Sequence, residues 1–442
     1  MKILMVSLGC DKNLVDTEKM LGILSGRGYE FTYEESEAEA VIVNTCCFIG
    51  DAKEESINTL LEMAELKKSG QVKALIAAGC LSQRFKEEIQ KEIPEVDALV
   101  GTMSVQSIAD TLDKILEGKA CNTFMPLDSS PVVKAKRILT TGGHFAYLKI
   151  AEGCDKNCTY CIIPKVRGGY RSVPMEELLE EAARLADDGV RELLLVAQET
   201  TLYGKDIYGR KALPELLHRL CGIPGIYWIR ILYCYPEEIT DELIETIATE
   251  SKICHYLDIP VQHASDDVLR RMGRWTNQKQ LREVVEKLRT RIPDIALRTT
   301  LIAGFPGETQ EDFEELYRFV NDIEFDRLGV FPYSREEDTV AAGMPDQIPE
   351  ETKEFRRGEL MELQQAISFE KNESLIGTVT TVMIEGKVAD EDTYVARTYR
   401  DAPDVDGYLF LNTTANLVSG DLVKVLITDS NEYDLIGEIY NG

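Results

Sequence analysis

No apolar run of 18 or more residues occurs in this 442-residue chain, which argues against a transmembrane helix. The opening MKILMVSLGCDKN is only briefly apolar and offers no small-residue cleavage site. It reads as a first buried strand rather than a secretion signal, so the cytoplasm is the expected compartment. Basic residues are scarce: 49 Lys and Arg stand against 77 Asp and Glu, a net charge of −28. Nucleic-acid binders need cations to neutralise phosphates, so the charge disfavours RNA and favours a basic protein partner. Plain solubility is the competing explanation of such acidity. Histidines number four, and none is spaced to complete a zinc site with neighbouring cysteines.

Cysteine, by contrast, is plentiful at eleven residues. In a reducing compartment that count argues for metal binding or catalysis over disulfides, although many buried cysteines are simply small hydrophobes.

The chain divides into segments. Up to about residue 125, the runs KILMVSL, AVIVNT, KALIAAG and VDALVG alternate with helical patterns at 16–28, 51–69, 82–92 and 104–118. This predicts an α/β domain with a parallel sheet covered on both faces. Residues 126–143 carry loop punctuation and read as a linker. The alternation restarts at 144, with strands predicted at 145–153, 191–199, 228–236, 255–263, 296–305 and 327–334. Six βα units predict a partial (β/α)6 barrel with its site at the C-terminal strand ends. A long polar helix at 349–374 leads out of it. Residues 375–442 predict five short strands in a small antiparallel β-barrel similar to an oligonucleotide-binding fold. From 376 onward that module holds 4 Lys and Arg against 12 Asp and Glu, the wrong balance for a nucleic-acid binder.

The pentapeptide GCDKN occurs twice, at 9–13 and 153–157. The second copy continues to give Cys154, Cys158 and Cys161 in C-x3-C-x2-C spacing, at the end of the first barrel strand. Three thiolates this close suit a soft metal or an iron–sulfur cluster, and a cubane held by three leaves one iron open. Zinc wants a fourth ligand, and a ferredoxin carrier has different spacing. The first copy has Leu14 where the second has Cys158. Yet Cys10, Cys46 and Cys80 each end a strand of the first sheet, 36 and 34 residues apart, one βα unit each. Strand ends of a parallel sheet share one edge, so these three thiols are a second candidate set. Filling of small core positions is the alternative.

Cys-x3-Cys-x-Tyr160-Cys at the end of a first barrel strand resembles the radical S-adenosylmethionine (SAM) superfamily. With a three-cysteine domain before it and a small β-barrel after it, the whole chain resembles the methylthiotransferase family, whose terminal module is called TRAM. The stretches GCDKNLVDTE, EGCDKNCTYCIIP, QETTLYG and DAPDVDG are similar to its protein-modifying branch. That resemblance implies two 4Fe-4S clusters, one on Cys154, Cys158 and Cys161 and one on Cys10, Cys46 and Cys80. It implies SAM as both methyl donor and radical source. It implies a methylthio group added to the β-carbon of an aspartate in small-subunit ribosomal protein number twelve, free or in the assembled ribosome. A sulfur donor and an electron donor such as flavodoxin or ferredoxin are implied partners. The radical chemistry is apt, because an aspartate β-carbon offers ordinary catalysis neither acidity nor electrophilicity. Tyr160, Gln198, Glu199, Gln262 and Arg298 are candidate SAM contacts; each equally suits a turn or barrel-interior position. Asp155 and Lys156 either touch substrate or face solvent, and solvent is the expectation. Cys47, Cys121, Cys221, Cys234 and Cys254 are expected to pack. A tRNA methylthiotransferase and a non-catalytic cluster-bearing scaffold are the rival readings.

Overall fold

β-branched and apolar runs without polar interruption become strands buried on both faces, and the amphipathic stretches between them become the covering helices. In the computed structural model, which describes residues 1–119, 121–131 and 136–441, this produces two parallel sheets and a closed barrel. The first unit runs β1 (Lys2–Ser7), α1 (Asp11–Gly26), β2 (Glu30–Thr32), β3 (Ala40–Thr45), α2 (Gly50–Lys68) and β4 (Ala74–Gly79). It continues through α3 (Cys80–Phe85), α4 (Glu87–Glu92), β5 (Ala98–Val100) and α5 (Ile108–Leu116). Its sheet order is β2-β1-β3-β4-β5. Several details depart from the sequence expectation: the helix expected at 82–92 breaks at Lys86 (φ +45°) into α3 and α4. The three-residue β2 is too short to leave a pattern, and α1 starts at Asp11 rather than 16, because Asp11-Lys12-Asn13 is a polar first turn.

The second unit comprises β6 (Phe145–Lys149), β7 (Ala151–Glu152), α6 (Ile163–Arg167), β8 (Arg171–Ser172), α7 (Met175–Asp187) and β9 (Glu192–Val196). After α8 (Lys205–Tyr208) and α9 (Leu213–Cys221) come β10 (Trp228–Ile231), α10 (Asp241–Thr249), β11 (Ile253–Asp258), α11 (Asp266–Arg271) and α12 (Gln278–Arg291). β12 (Ala296–Ala303), α13 (Gln310–Ile323) and β13 (Arg327–Pro332) complete it. The six long strands form one open sheet in sequence order, β6-β9-β10-β11-β12-β13, all parallel. Helix α14 (Glu350–Glu373) leads to β14 (Val379–Lys387), β15 (Thr393–Thr398), β16 (Leu409–Asn412), β17 (Leu422–Ser430) and β18 (Leu435–Ile439). These close into a barrel that is antiparallel except where β16 meets β18.

The open barrel is plugged from both flanks. Phe145, Tyr147, Leu194, Trp228 and Tyr256 pack with Val15 of α1 and with Met383 and Ala402 of the terminal barrel. The stretch DAPDVDG is an internal docking loop: Asp401 pairs with Arg327 at 2.5 Å, and Asp406 accepts from Tyr256 Oη at 2.8 Å. The linker expected at 126–143 lies partly outside the described residues. From 136 it is pinned, with Arg137 buried between Glu18 and Glu181. Gly22 leaves no room for a Cβ beneath the Lys136 carbonyl, which brings this segment hard against α1. Among the described residues no helix is long and apolar enough to cross a membrane.

Glu192 is fully buried between Arg230 (2.8 Å) and Arg397 of β15 (2.7 Å). Burial alone would raise its carboxyl, but Arg397 and Arg230 hold it below the usual carboxylate range. A depressed carboxyl stabilises the fold above its unfolded pKa, about 4.3, and that stability is lost as pH falls through the folded value. Glu192→Gln is therefore expected to cost about 3–5 kcal/mol at neutral pH, because two buried guanidiniums lose their counter-charge. The gap from the parent should narrow toward pH 3 in thermal melts; a neutral-pH loss under about 1 kcal/mol would refute this account.

Candidate functional site

The two GCDKN turns sit at the C-terminal edges of the two parallel sheets, as strand-end sites should. In the first, the chain turns at Gly9 (φ +87°), where a Cβ would lie 2.6 Å from Cys46 Cβ and 2.7 Å from its Sγ. Glycine is needed there because two cysteine-bearing strand ends approach each other. Cys10 then precedes α1 with extended backbone. Asn13 ties the strand ends together: its amide donates to the carbonyls of Leu8 (2.6 Å), Asn44 (3.3 Å) and Thr45 (3.3 Å). Asn44 reciprocates to the Asn13 carbonyl at 2.9 Å. Ser56 clamps Cys46, accepting its N–H and donating to its carbonyl, each at 2.9 Å. Cys80 opens α3, and its proximity and that of Cys10 add to burial in pushing the Cys46 thiol up.

In the second turn, Gly153 (φ +78°) leaves no room for a Cβ, which would lie 2.6 Å from the Gly168 carbonyl. The Cys154 N–H donates to that carbonyl at 3.1 Å, and the Cys161 N–H to the Cys158 carbonyl at 3.0 Å. Burial pushes the Cys46 and Cys154 thiols up to about 12, so each needs a cationic partner to ionise. Among the described residues no three His, Cys, Asp or Glu side chains converge on one ion-sized point. The ligands of a cubane sit on separate irons and stand further apart than those of a single ion. Cys47 points into the apolar core of the first unit, apart from the edge.

A buried ionic network joins the two turns. Lys149 of β6 pairs with Asp16 of α1 and, at 2.8 Å, with Glu152. Arg167 of α6 reaches Asp16 (2.7 Å), Glu152 (3.1 Å) and Asn13 Oδ1 (3.1 Å), and its positive charge opposes the upward push of burial on the Cys80 thiol. Gln198 donates to Glu152 at 3.0 Å. No sequence motif singled out Arg167, Lys149 or Asp16, because the network exists only once the two units are docked.

The segment Tyr233-Cys234-Tyr235 after β10 also spans both sites. Lys12 Nζ lies 3.3 Å above the Tyr233 ring, and the Tyr235 hydroxyl is 3.5 Å from Cys158 Sγ. Lys156 is not the solvent-facing residue expected: it pairs with Glu238 (2.6 Å) and Glu237 (3.1 Å) over the Tyr235 ring. Asp155 is exposed as expected, but accepts the Tyr170 N–H at 3.0 Å.

Of the candidate SAM contacts, Glu199 is buried near Cys154, and burial pushes its carboxyl up to about 7. Its Oε2 and the Gln198 Oε1 are buried without partners. Tyr160 stands edge-on to Phe305 at 6.4 Å. Gln262, at φ +72°, bridges β11 to β12 through backbone bonds at 2.9 and 2.8 Å. Arg298, also a candidate, pairs with Asp258 (3.0 Å) and with Asp406 of the docking loop (3.4 Å). Its strand position was readable, but a partner 108 residues later in sequence was not. Arg274 was missed for the same reason. It stacks on Tyr235 at 4.2 Å, feels the charge of Cys158, and keeps Nε and Nη1 buried without partners.

Three family models match the chain: Radical SAM superfamily over residues 148–320, Uncharacterized protein family UPF0004 over 2–101, and TRAM domain over 376–439. The chain is 61% identical over 437 residues to a protein of Lachnoclostridium phytofermentans named ribosomal protein uS12 methylthiotransferase RimO, covering 99% of each. The chain belongs to the RimO family. The Clostridioides difficile member is 48% identical, again across 99% of each chain. Among solved structures, the radical SAM methyltransferase TsrM of Kitasatospora setae aligns at TM-score 0.56 and 14% identity, covering 88% of this chain and 79% of its own. The radical SAM enzyme OxsB aligns at 0.52 and 15%, covering 84% and 56%. These two likenesses are of fold.

Proposed function

We propose that this chain is a radical SAM methylthiotransferase that acts on ribosomal protein uS12, at the β-carbon of an aspartate. One observation supports the reading beyond its relatives' names: the Tyr233-Cys234-Tyr235 segment touches Lys12, two residues after Cys10, at one end and Cys158 at the other, and Arg167 pairs with Asp16 of α1 and with Glu152 beside the second turn. The donor chemistry fits iron–sulfur clusters, with soft thiols at two glycine-cradled strand ends. Cys154, Cys158 and Cys161 would hold one and Cys10, Cys46 and Cys80 the other. When bound, these groups and SAM would supply a carbon-centred radical and a methylthio group. The protein's share is placement. The unpartnered oxygens of Gln198 and Glu199 suit the ammonium of SAM, and the free N–H groups of Arg274 suit its carboxylate. Tyr160 and Phe305 offer apolar faces beside them, Gln262 shapes the neighbouring turn, and the plugged barrel excludes water. Arg298 is proposed instead to dock the terminal domain, and the divisions at 125, 143 and 374 are proposed as domain edges. A sulfur donor and a one-electron donor such as flavodoxin or ferredoxin complete the reading, in the cytoplasm.

The test is anaerobic incubation of reconstituted enzyme, reductant and sulfide with methyl-labelled SAM, ribosomes and tRNA. Stable label on an aspartate of uS12 is the expected result. Label in tRNA nucleosides would replace this reading with the tRNA one. No SAM cleavage at all would leave a cluster-bearing scaffold.

A further inference from the structure

We propose that Lys12 and the Tyr233 hydroxyl receive the carboxylate of the substrate aspartate, and that Asp11 holds that place in the free protein. This rests on the function proposed above and names the group on the substrate that the site recognises. An aspartate β-carbon cannot enter the space between the cysteine turns without its carboxylate. A carboxylate taken from water needs a cation and hydrogen-bond donors.

The cations around that space differ in their commitments. Arg167 and Lys149 share Asp16 and Glu152, and Lys156 holds Glu237 and Glu238. Arg274 lies on the Cys158 side, stacked on Tyr235. Lys12 lies two residues beyond Cys10 and over Tyr233, facing the first site.

Its ion pair is with its own sequence neighbour, Asp11, at 2.8 Å. That carboxylate is satisfied on one side only. Asp11 Oδ1 accepts from Lys12 Nζ, from the Lys12 N–H at 2.9 Å and from Tyr233 Oη at 3.4 Å, while Oδ2 is buried without a partner. A buried unsatisfied oxygen is costly, so the pair is poised for exchange with an incoming carboxylate. The backbone adds a second sign. Tyr233 is held at φ +59°, a left-handed conformation rare for aromatic residues, and its N–H is tied to Asp258 Oδ2 at 3.1 Å. Strain of this kind persists where the surroundings enforce it, often at ligand clamps. Here it sets the ring beneath Lys12 and turns the hydroxyl to Asp11.

The experiment uses a peptide spanning the aspartate that the unaltered enzyme labels in uS12, and the same peptide with asparagine at that position. Anisotropy with fluorescent peptides reads binding to the protein before cluster loading, and initial rates read KM and kcat after it. Lys12→Met is expected to raise Kd and KM for the aspartate peptide at least about tenfold and to erase the preference over asparagine, with iron content unchanged. Lys12→Arg should restore part of the preference. Wild-type KM and preference in a folded Lys12→Met enzyme would overturn the proposal. If the unaltered enzyme labels no uS12 aspartate, the function reading falls first, and this inference with it.

Discussion

Exchanging Arg167 for methionine is expected to cost about 3–5 kcal/mol of stability, one of the largest single-residue effects in this protein. Its guanidinium is 2% exposed and is shared by Asp16, Glu152 and Asn13. Methionine fills the space but leaves two buried carboxylates to one ammonium, that of Lys149. The penalty is the desolvation of an unpaired charge, which exceeds the net worth of the ion pair itself. A double variant separates the two. Arg167→Met with Asp16→Asn restores one carboxylate to one ammonium and should recover about 2–3 kcal/mol of the loss, the upper end of couplings within one buried network. Thermal or urea melts of the three variants measure it. A single-variant loss below about 1 kcal/mol would mean that water reaches the network. Because Arg167 ties the Asn13 end of α1 to Glu152 and Gln198, the same variant should also lower methylthio product more than SAM cleavage, as the two turns lose their fixed separation.

Cys80→Ala and Cys154→Ala are expected to part the chemistry cleanly. Each should halve the iron of the reconstituted protein, from roughly eight atoms to roughly four, if each three-cysteine set holds one cubane. Cys154→Ala should stop SAM cleavage altogether. Cys80→Ala should still release 5′-deoxyadenosine, while methylthio product falls to background. Cys47→Ala supplies the contrast: its thiol lies in the core of the first unit, so iron should stay near eight and only stability should fall. Full iron in Cys80→Ala would remove Cys10, Cys46 and Cys80 from the reading.

Which residues end strands was legible in the chain itself. Cys10, Cys46, Cys80 and Cys154 follow apolar runs whose periodicity is local, and a parallel sheet gathers such ends on one edge by topology alone. The glycines before Cys10 and Cys154 announce tight turns in the same local way. The order of three units followed from alternation of strand and helix, and the acidity of the last followed from counting. What tertiary structure decided is the contacts between residues far apart in the chain, within a unit and across units. The strand position of Arg298 was readable, but its pairing with Asp406 of the docking loop was not. Lys156 looked solvated until Glu237 and Glu238 came beneath it. Arg167 and Arg274 carried no motif, and Lys12 no more than a repeated pentapeptide. Backbone propensity and apolar period act over a few residues, so a single sequence displays them. Charge pairing acts through space, at 2.7 Å between Glu192 and Arg397, which lie 205 positions apart, and is settled only when docking removes the water between them.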